Sequence, residues 1–231
     1  MARGEFTVEE AKRFYDRFGA KQDLQFYENA ALECLLDHAD FEHAASVFEL
    51  GCGTGRLAER LLRERLPPPA RYVGVDISTT MTGLAEQRLA RWHGRAFVRL
   101  SDGTARHSEP DRTFDRFVAT YVLDLLPEAK IRDVLCEARR LLTEDGALCV
   151  VGMTEGNGPI SRTVCSVWKG LHALSPRLVG GCRPVLLREF LDVNVWHVDH
   201  AEVVSAWGIC SEVIIARPAH PTRGSNDRSP T

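Results

Sequence analysis

The chain has 231 residues, 44% of them apolar, and carries a formal net charge of −3. That apolar share supports a sizeable core in one large or two small domains, while the acidic balance leaves no overall basic footprint for nucleic acid. No stretch approaches the roughly 20 apolar residues of a membrane span, and Met1-Ala2-Arg3-Gly4-Glu5 lacks the apolar core of a signal peptide, so the expectation is a cytoplasmic protein without stable membrane insertion. Seven cysteines, odd in number and scattered, several of them in apolar surroundings (Cys34, Cys136, Cys149, Cys165, Cys210), read as reduced thiols. No cysteine pair has zinc-site spacing, and no metal is expected. The 29 basic residues are mostly arginines spread along helical patterns beside acids, as on solvated faces.

Thr7-Val8-Glu9-Glu10 has the form of a capping box, which predicts a helix to Phe18 closed by Gly19. Leu24, Tyr27, Ala31 and Leu35 predict a second helix, with Leu32 and Leu36 widening its apolar stripe. Residues 1–45 thus form a helical cap ahead of the main sheet. From Ser46 the period alternates. Strand 46–50 leads to a helix bearing Leu57, Ala58, Leu61 and Leu62, which Pro67-Pro68-Pro69 must end. Strand 71–76 leads to a helix with Met81, Leu84, Ala85 and Leu89; strands follow at 96–100 and 114–120. Pro127 to Leu142 is an amphipathic helix through Ile131, Val134, Leu135, Ala138 and Leu141, with proline suited to its first turn. Gly146 to Met153 reads as a strand buried on both faces. Repeated βα units specify a doubly wound, mostly parallel α/β sheet. Residues 154–194 break the pattern as an insertion with two short helices, one around Val164, Val167, Trp168 and Leu171. Runs at 195–207 and 210–217, joined at Gly208, predict an antiparallel hairpin that brings the sheet to seven strands. The main domain spans 46–217, and 218–231 is polar and expected to be disordered.

The chemistry concentrates where the first strand ends. Val47-Phe48-Glu49-Leu50-Gly51-Cys52-Gly53-Thr54-Gly55 is an apolar strand with an acid near its end, running into three glycines at alternate positions. Glycine is needed where backbone turns sharply and approaches a ligand closely, and N–H groups at the following helix can hold an anionic group. A second apolar run, Tyr72-Val73-Gly74-Val75-Asp76-Ile77-Ser78, ends in an acid 21 positions after Gly55. An acid there, at the end of the second strand of a βαβ unit, is where a ribose diol is gripped. A dinucleotide turn wants a third glycine one position later, where Arg56 stands, which argues against NAD.

The G-x-G-x-G form, the acid two residues before it, the VGVDIS run and Ser101-Asp102-Gly103 together resemble the class I S-adenosylmethionine-dependent methyltransferases. With Phe14-Tyr15-Asp16-Arg17-Phe18, ELGCGTG and Phe114-Asp115-Arg116-Phe117 through Leu126-Pro127, the chain is similar over roughly residues 6–153 to the branch holding ubiquinone and menaquinone biosynthesis methyltransferases. The resemblance implies a Rossmann-like fold with S-adenosylmethionine as cofactor. It also implies that Gly51, Gly53 and Gly55, with Cys52, underlie the methionine part, that Asp76 takes the ribose hydroxyls, and that Asp102, beside Gly103, accepts from the adenine amine. A carboxylate offers acceptors to both ribose donors. Glu49 is expected to act through the turn and the cofactor amino group, Ile77 and Met81 to flank the adenine, and Thr120 to meet the methionine moiety; Met81 equally fits the core. Tyr15 and Tyr27 either close over the cofactor or pack the two helices.

Methyl transfer from a sulfonium needs no protein nucleophile, and an acceptor that ionises readily needs no base. Asp124 is the one weak catalytic candidate, and capping the next helix is its alternative role. His107, His172, His197 and His200 read as structural or exposed. Acceptor specificity is assigned to the N-terminal helices and to the 154–194 insertion, with Trp168, His172, Arg177, Cys182, Arg183 and Trp196; Cys182 beside Arg183 is either a lowered-pKa thiol or a bystander. The expected activity is methylation of a small molecule, either a lipophilic quinone- or phenol-like acceptor or a small thiol or other soft nucleophile. The alternative is a catalytically inactive S-adenosylmethionine-binding sensor or partner subunit. Nothing in the pattern specifies an oligomeric state.

Overall fold

Strands β1 (Ser46–Leu50), β2 (Arg71–Asp76) and β4 (Phe114–Thr120) are apolar on both faces because helices cover both sides of the sheet they form. In the computed structural model, residues 7–19, 26–156 and 158–219 are described. With β3 (Ala96–Leu100) and the long β5 (Leu142–Thr154), these strands run parallel; β7 (Ile209–Pro218) enters antiparallel between β5 and β6 (Trp196–Ala206). The seven strands lie in the order β3-β2-β1-β4-β5-β7-β6. The predicted hairpin turns at Trp207 and Gly208, both at positive φ. Strand β5 starts earlier than expected: Leu142 pairs with Phe114 before a register shift, and the continuous run begins at Ala147 opposite Arg116.

Helix α1 (Val8–Phe18) carries the expected capping box, Thr7 with Glu10, and ends at Gly19 with φ 53°. Helix α2 (Asn29–His38) follows a single 3₁₀ turn at 26–28; Leu24, assigned to this helix from its spacing, lies outside the described residues. After the glycine turn, α3 (Arg56–Arg60) passes into a π-helical turn over Leu61–Arg65 and stops before the three prolines. Helices α4 (Thr79–Leu89) and α5 (Glu128–Leu141) stand close to their predicted bounds. The insertion departs from expectation. It holds one 16-residue helix, α6 (Pro159–Leu174), and two short 3₁₀ turns at 176–179 and 187–190 rather than two short helices.

Two hydrophobic clusters sandwich the sheet. On one face, Leu32, Leu35 and Leu36 of α2 and Leu57, Leu61 and Leu62 after the glycine turn pack on Tyr72, Val118, Cys149 and Ile215. On the other, Ile131, Val134, Leu135 and Leu141 of α5 pack on Phe48, Val73, Phe117 and Leu148, together with Trp196. Trp196, assigned to the acceptor region from sequence, is therefore part of this core. The cysteines divide: Cys52, Cys149, Cys182 and Cys210 are buried, whereas Cys136 is exposed and Cys34 and Cys165 are half-buried.

The Phe114-Asp115-Arg116-Phe117 run has a structural cause. Phe114 and Phe117 enter the α5-side core, while Asp115 Oδ2 accepts from Ala45 N at 2.7 Å and Ser46 N at 3.0 Å, pinning the start of β1 to β4. Arg116 is buried rather than solvated and donates to the carbonyls of Ala39 at 2.6 Å and Asp40 at 2.5 Å, closing the end of α2. Arg116→Leu leaves those carbonyls without their guanidinium. The expected loss is about 1–3 kcal/mol of stability, read from urea unfolding; an unchanged midpoint contradicts this role.

Candidate functional site

The parallel strands carry their carboxyl ends to one edge of the sheet, the edge where ligands bind in open α/β folds. At the end of β1 the chain turns through Gly51, Gly53 and Gly55, with φ of 69°, 52° and 76°, values that favour glycine. A Cβ on Gly51 would stand 2.3 Å from Val122 Cγ2, and one on Gly55 3.1 Å from Ala85. The first closeness presses the turn against the end of β4; the second sets α3 against α4. Tyr121, next after β4, is itself at φ 55°, a strained setting that such edges often carry, and its hydroxyl pairs with Ser211 Oγ at 2.8 Å.

Asp76 at the end of β2 is locked to this turn. Its Oδ2 accepts from Gly53 N at 3.0 Å and its Oδ1 from Ser78 N at 2.8 Å, leaving further acceptor capacity on both oxygens. Burial raises its pKa against the lowering effect of those backbone donors. Ser78 caps α4 through Met81 N, and its hydroxyl donates to Asp16 Oδ1 at 2.6 Å. That bond ties α1 to the β2 edge.

A cavity of ≈390 Å³ opens along this edge, within the usual size range of small-molecule pockets. Gly51, Asp76, Ile77, Gly103 and Thr120 line its floor, and α1 roofs it with Val8, Ala11 and Tyr15. Asp76 is the acid among its described lining residues. A smaller cavity of ≈50 Å³ shares Gly51 and Thr120 and is lined by Glu49, Cys52 and Gly53, with Glu28 and Leu32 beside them. The predicted turn residues, Asp76, Ile77, Thr120, Gly103 and Tyr15 are thus brought together. Gly55 instead serves helix packing.

Three of the predicted residues stand elsewhere. Met81 is buried in the core and lines neither cavity. Asp102 is exposed and its Oδ1 accepts from Thr104 N and Oγ1 at 2.9 and 2.7 Å; the lining at this loop comes from Ser101, Gly103 and Thr104. Asp124 is fully buried and also lies off the lining. It does not cap α5, whose start at Pro127 has no side-chain cap. Its Oδ2 accepts from Met153 N at 3.1 Å, Oδ1 has no donor in ordinary hydrogen-bond geometry, and the Cys182 thiol beside it is a weak donor; burial pushes the carboxyl up to about 6. Of the two readings of Cys182, the structure fits the bystander: burial and Asp124 raise its thiol pKa, and the Arg183 guanidinium donates to the Leu126 carbonyl at 2.7 Å.

The sequence missed Val8, Val122 and Leu125 as lining residues. Their signal is faint: the sequence brings the run after β4 and the N-terminal helices toward this edge, but an apolar side chain there carries no mark that separates lining from core. The two tyrosines part company. Tyr15 lines the cavity and donates to the Gly180 carbonyl at 3.3 Å, joining α1 to the insertion, whereas Tyr27 packs edge-on against Tyr121 at 6.0 Å. Arg177's side chain lies outside the described residues, and His107 packs against Phe48 at 4.9 Å.

Residues 48–148 match the family described as a methyltransferase domain. The match takes in somewhat under half of the chain, and over this stretch the chain is similar to a methyltransferase domain. It runs from β1 into β5 and contains Asp76, the glycine turn and most of the cavity floor. A curated relative, the demethylmenaquinone methyltransferase of Lactobacillus johnsonii, is 29% identical over 129 residues, 55% of this chain and 50% of the relative. The chain therefore spans about half the length of that relative. Among solved structures, the N-methyltransferase NodS of Bradyrhizobium japonicum WM9 with S-adenosyl-L-homocysteine superposes at TM-score 0.69 and 17% identity, covering 91% of this chain and 99% of that one. Geranyl diphosphate methyltransferase with GPP and sinefungin does so at 0.69 and 14%, covering 91% and 98%. At these identities the superpositions establish the class I methyltransferase fold.

Glu49 gives a pH test of the site. Its Oε2 accepts from Tyr72 O–H at 2.5 Å, yet burial dominates and lifts its pKa from 4.5 to about 7. A raised carboxyl favours the protonated folded state, so stability present below pH ~4.5 is lost as pH rises to ~7. Relative to Glu49→Gln, which does not titrate, the parent should lose up to ~3 kcal/mol across that window and then level off. A pH-independent difference in urea unfolding contradicts the assignment.

Proposed function

We propose that the chain binds S-adenosylmethionine along the glycine turn and transfers its methyl group to a small-molecule acceptor beneath the 154–194 insertion. The observation that carries this reading is Asp76: a half-buried carboxylate, fixed by Gly53 and Ser78 N–H groups, on the wall of a mostly apolar cavity. Such a wall suits a ligand that presents a diol at one point and a flat apolar ring beside it. The residues fit the cofactor in a second way, since the space a Gly51 Cβ would fill is already bounded by Val122, so backbone alone approaches the ligand there.

When bound, the sulfonium supplies an electrophilic methyl group. Alignment of the acceptor then provides much of the acceleration. Asp76 holds the ribose hydroxyls, Ile77 flanks the adenine, and Glu49 at the neighbouring cavity faces the amino end. Thr120 and Tyr15 border the reacting end, where Tyr15 also reaches the insertion through Gly180. Helices before residue 46 and the insertion serve as the acceptor-covering parts around the 46–217 domain. Asp102 is proposed to reach the adenine amine only by leaving its Thr104 turn, and Met81 to support Ile77 from the core.

The apolar lining, with Val8, Val122 and Leu125, favours a lipophilic acceptor. The curated relative's name, a demethylmenaquinone methyltransferase, points the same way, toward a quinone- or phenol-like substrate. Among the described residues no helix is long and apolar enough to cross a membrane.

Calorimetry with S-adenosylmethionine and S-adenosylhomocysteine tests the reading. Both should bind the parent, and Asp76→Ala should weaken them at least tenfold, about 1.4 kcal/mol. Absence of binding by the parent, or parent-like affinity in Asp76→Ala, overturns it.

A further inference from the structure

Away from the cavity, α2 and β6 bring together four side chains with metal-binding donors. Cys34 and His38 share one face of α2's last turns, being four residues apart. His200 and Glu202 share one face of β6 by strand alternation. A β-bulge sets which face that is. Before it, Trp196 and Val198 pack on the α5-side cluster; the register shifts between Val198 and His200, and Ala201 takes up that inward role. His200 and Glu202 are thereby turned to the α2 side, in phase with Val204, which packs on the α2 cluster. An unbulged strand would have pointed His200 into the α5-side core. Bulges commonly re-aim side chains in this way.

The donor spacings are those of a coordination polyhedron. Cys34 Sγ stands 3.6 Å from His200 Nε2 and 3.5 Å from Glu202 Oε2, and those two atoms are 3.5 Å apart. Zinc bonds of ~2.3 Å to sulfur and ~2.0–2.2 Å to nitrogen or oxygen, at tetrahedral angles, place donors ~3.3–3.6 Å apart. The three atoms thus form one face of a tetrahedron. His38 Nδ1 lies 3.8 Å from the same sulfur. Its ring stacks on His200 at 3.9 Å with planes 14° apart, and parallel rings cannot aim their in-plane lone pairs at one point. Ligation therefore requires the exposed His38 ring to turn and give up its 2.9 Å contact with the Cys34 carbonyl, while the other three donors need little movement. The exposed side chains of His38 and Glu202 leave a path from solvent.

We propose that Cys34, His200 and Glu202, with His38 swinging in as fourth ligand, form a zinc-type divalent metal site that clamps the N-terminal cap to the edge strand of the sheet. The site is structural and independent of methyl transfer. It lies between residues 166 positions apart in sequence, so closing it links the chain's two ends. Leu32, on the same helix, lines the small cavity beside the glycine turn, which connects the clamp to the wall of the cofactor site. A search by cysteine spacing misses it because its pattern is C-x₃-H on a helix joined to H-x-E on a strand.

Cobalt(II) titrated into the reduced, metal-free full chain tests this. One equivalent should develop a thiolate-to-cobalt charge-transfer band with d–d bands of tetrahedral intensity, displaced by zinc(II), and zinc should raise the thermal midpoint. Cys34→Ser should lose the band, and Glu202→Gln, a surface change that leaves the core intact, should bind cobalt at least tenfold more weakly. Cys136→Ser, which removes an exposed thiol on α5, should match the parent. Circular dichroism of each variant without metal establishes that it is folded. The proposal fails if the parent gives no thiolate band, or if folded Cys34→Ser or Glu202→Gln binds cobalt as the parent does.

Discussion

The bond from Gly53 N–H to Asp76 Oδ2, 3.0 Å long, is the contact on which the site depends. It joins the loop after β1 to the end of β2, and so fixes a carboxylate against a turn that only glycine backbone conformations allow. Burying such a group is costly without donors. Here two backbone N–H groups meet that cost in part, and the remaining acceptor capacity faces the cavity. The sheet supplies the setting, because β1 and β2 pair in register from Ser46–Arg71 to Leu50–Val75 and bring both ends to one level. Gly51 and Cys52 both donate to the Val75 carbonyl, which holds the turn down over the strand.

The rest of the site is assembled around that fixed point from distant chain segments. Helix α1 has no buried residue of its own, and it is held by Asp16 to Ser78 and by Tyr15 to Gly180. It behaves as a roof held at these bonds and by the contact of Val8 with the Gly103 loop. The insertion meets the site through the same Tyr15 bond and through Arg183, whose backbone N–H donates to the Asp124 carbonyl at 3.1 Å. Asp124 is thus covered by the insertion, which accounts for its raised pKa and for its absence from the lining.

The parallel sheet was legible because a strand covered on both faces leaves an unbroken apolar run, as in Val47-Phe48 and Tyr72-Val73, with turn residues at its ends. The glycine turn and Asp76 were legible for a related reason: their chemistry depends on residues close in sequence. What escaped reading depends on contacts between remote segments. Nothing along the chain tells that Val8 meets the loop at Gly103, that Thr104 occupies the Asp102 carboxylate, or that Arg183 turns away from Cys182. Met81 went to the core because the helical face it shares with Ala85 packs inward. The facing of His200 follows from a bulge, which periodicity cannot register since it changes the phase of the strand midway.

Methyl transfer itself is the central claim, and it is tested most directly by incubating the full chain with methyl-labelled S-adenosylmethionine and a small-molecule extract, then identifying the labelled product by mass. The account predicts label in one or a few lipophilic metabolites, absent when Asp76→Ala replaces the parent. Cofactor bound tightly by the parent, with no label leaving it for any acceptor in the extract, contradicts the account and leaves a binding protein in place of an enzyme.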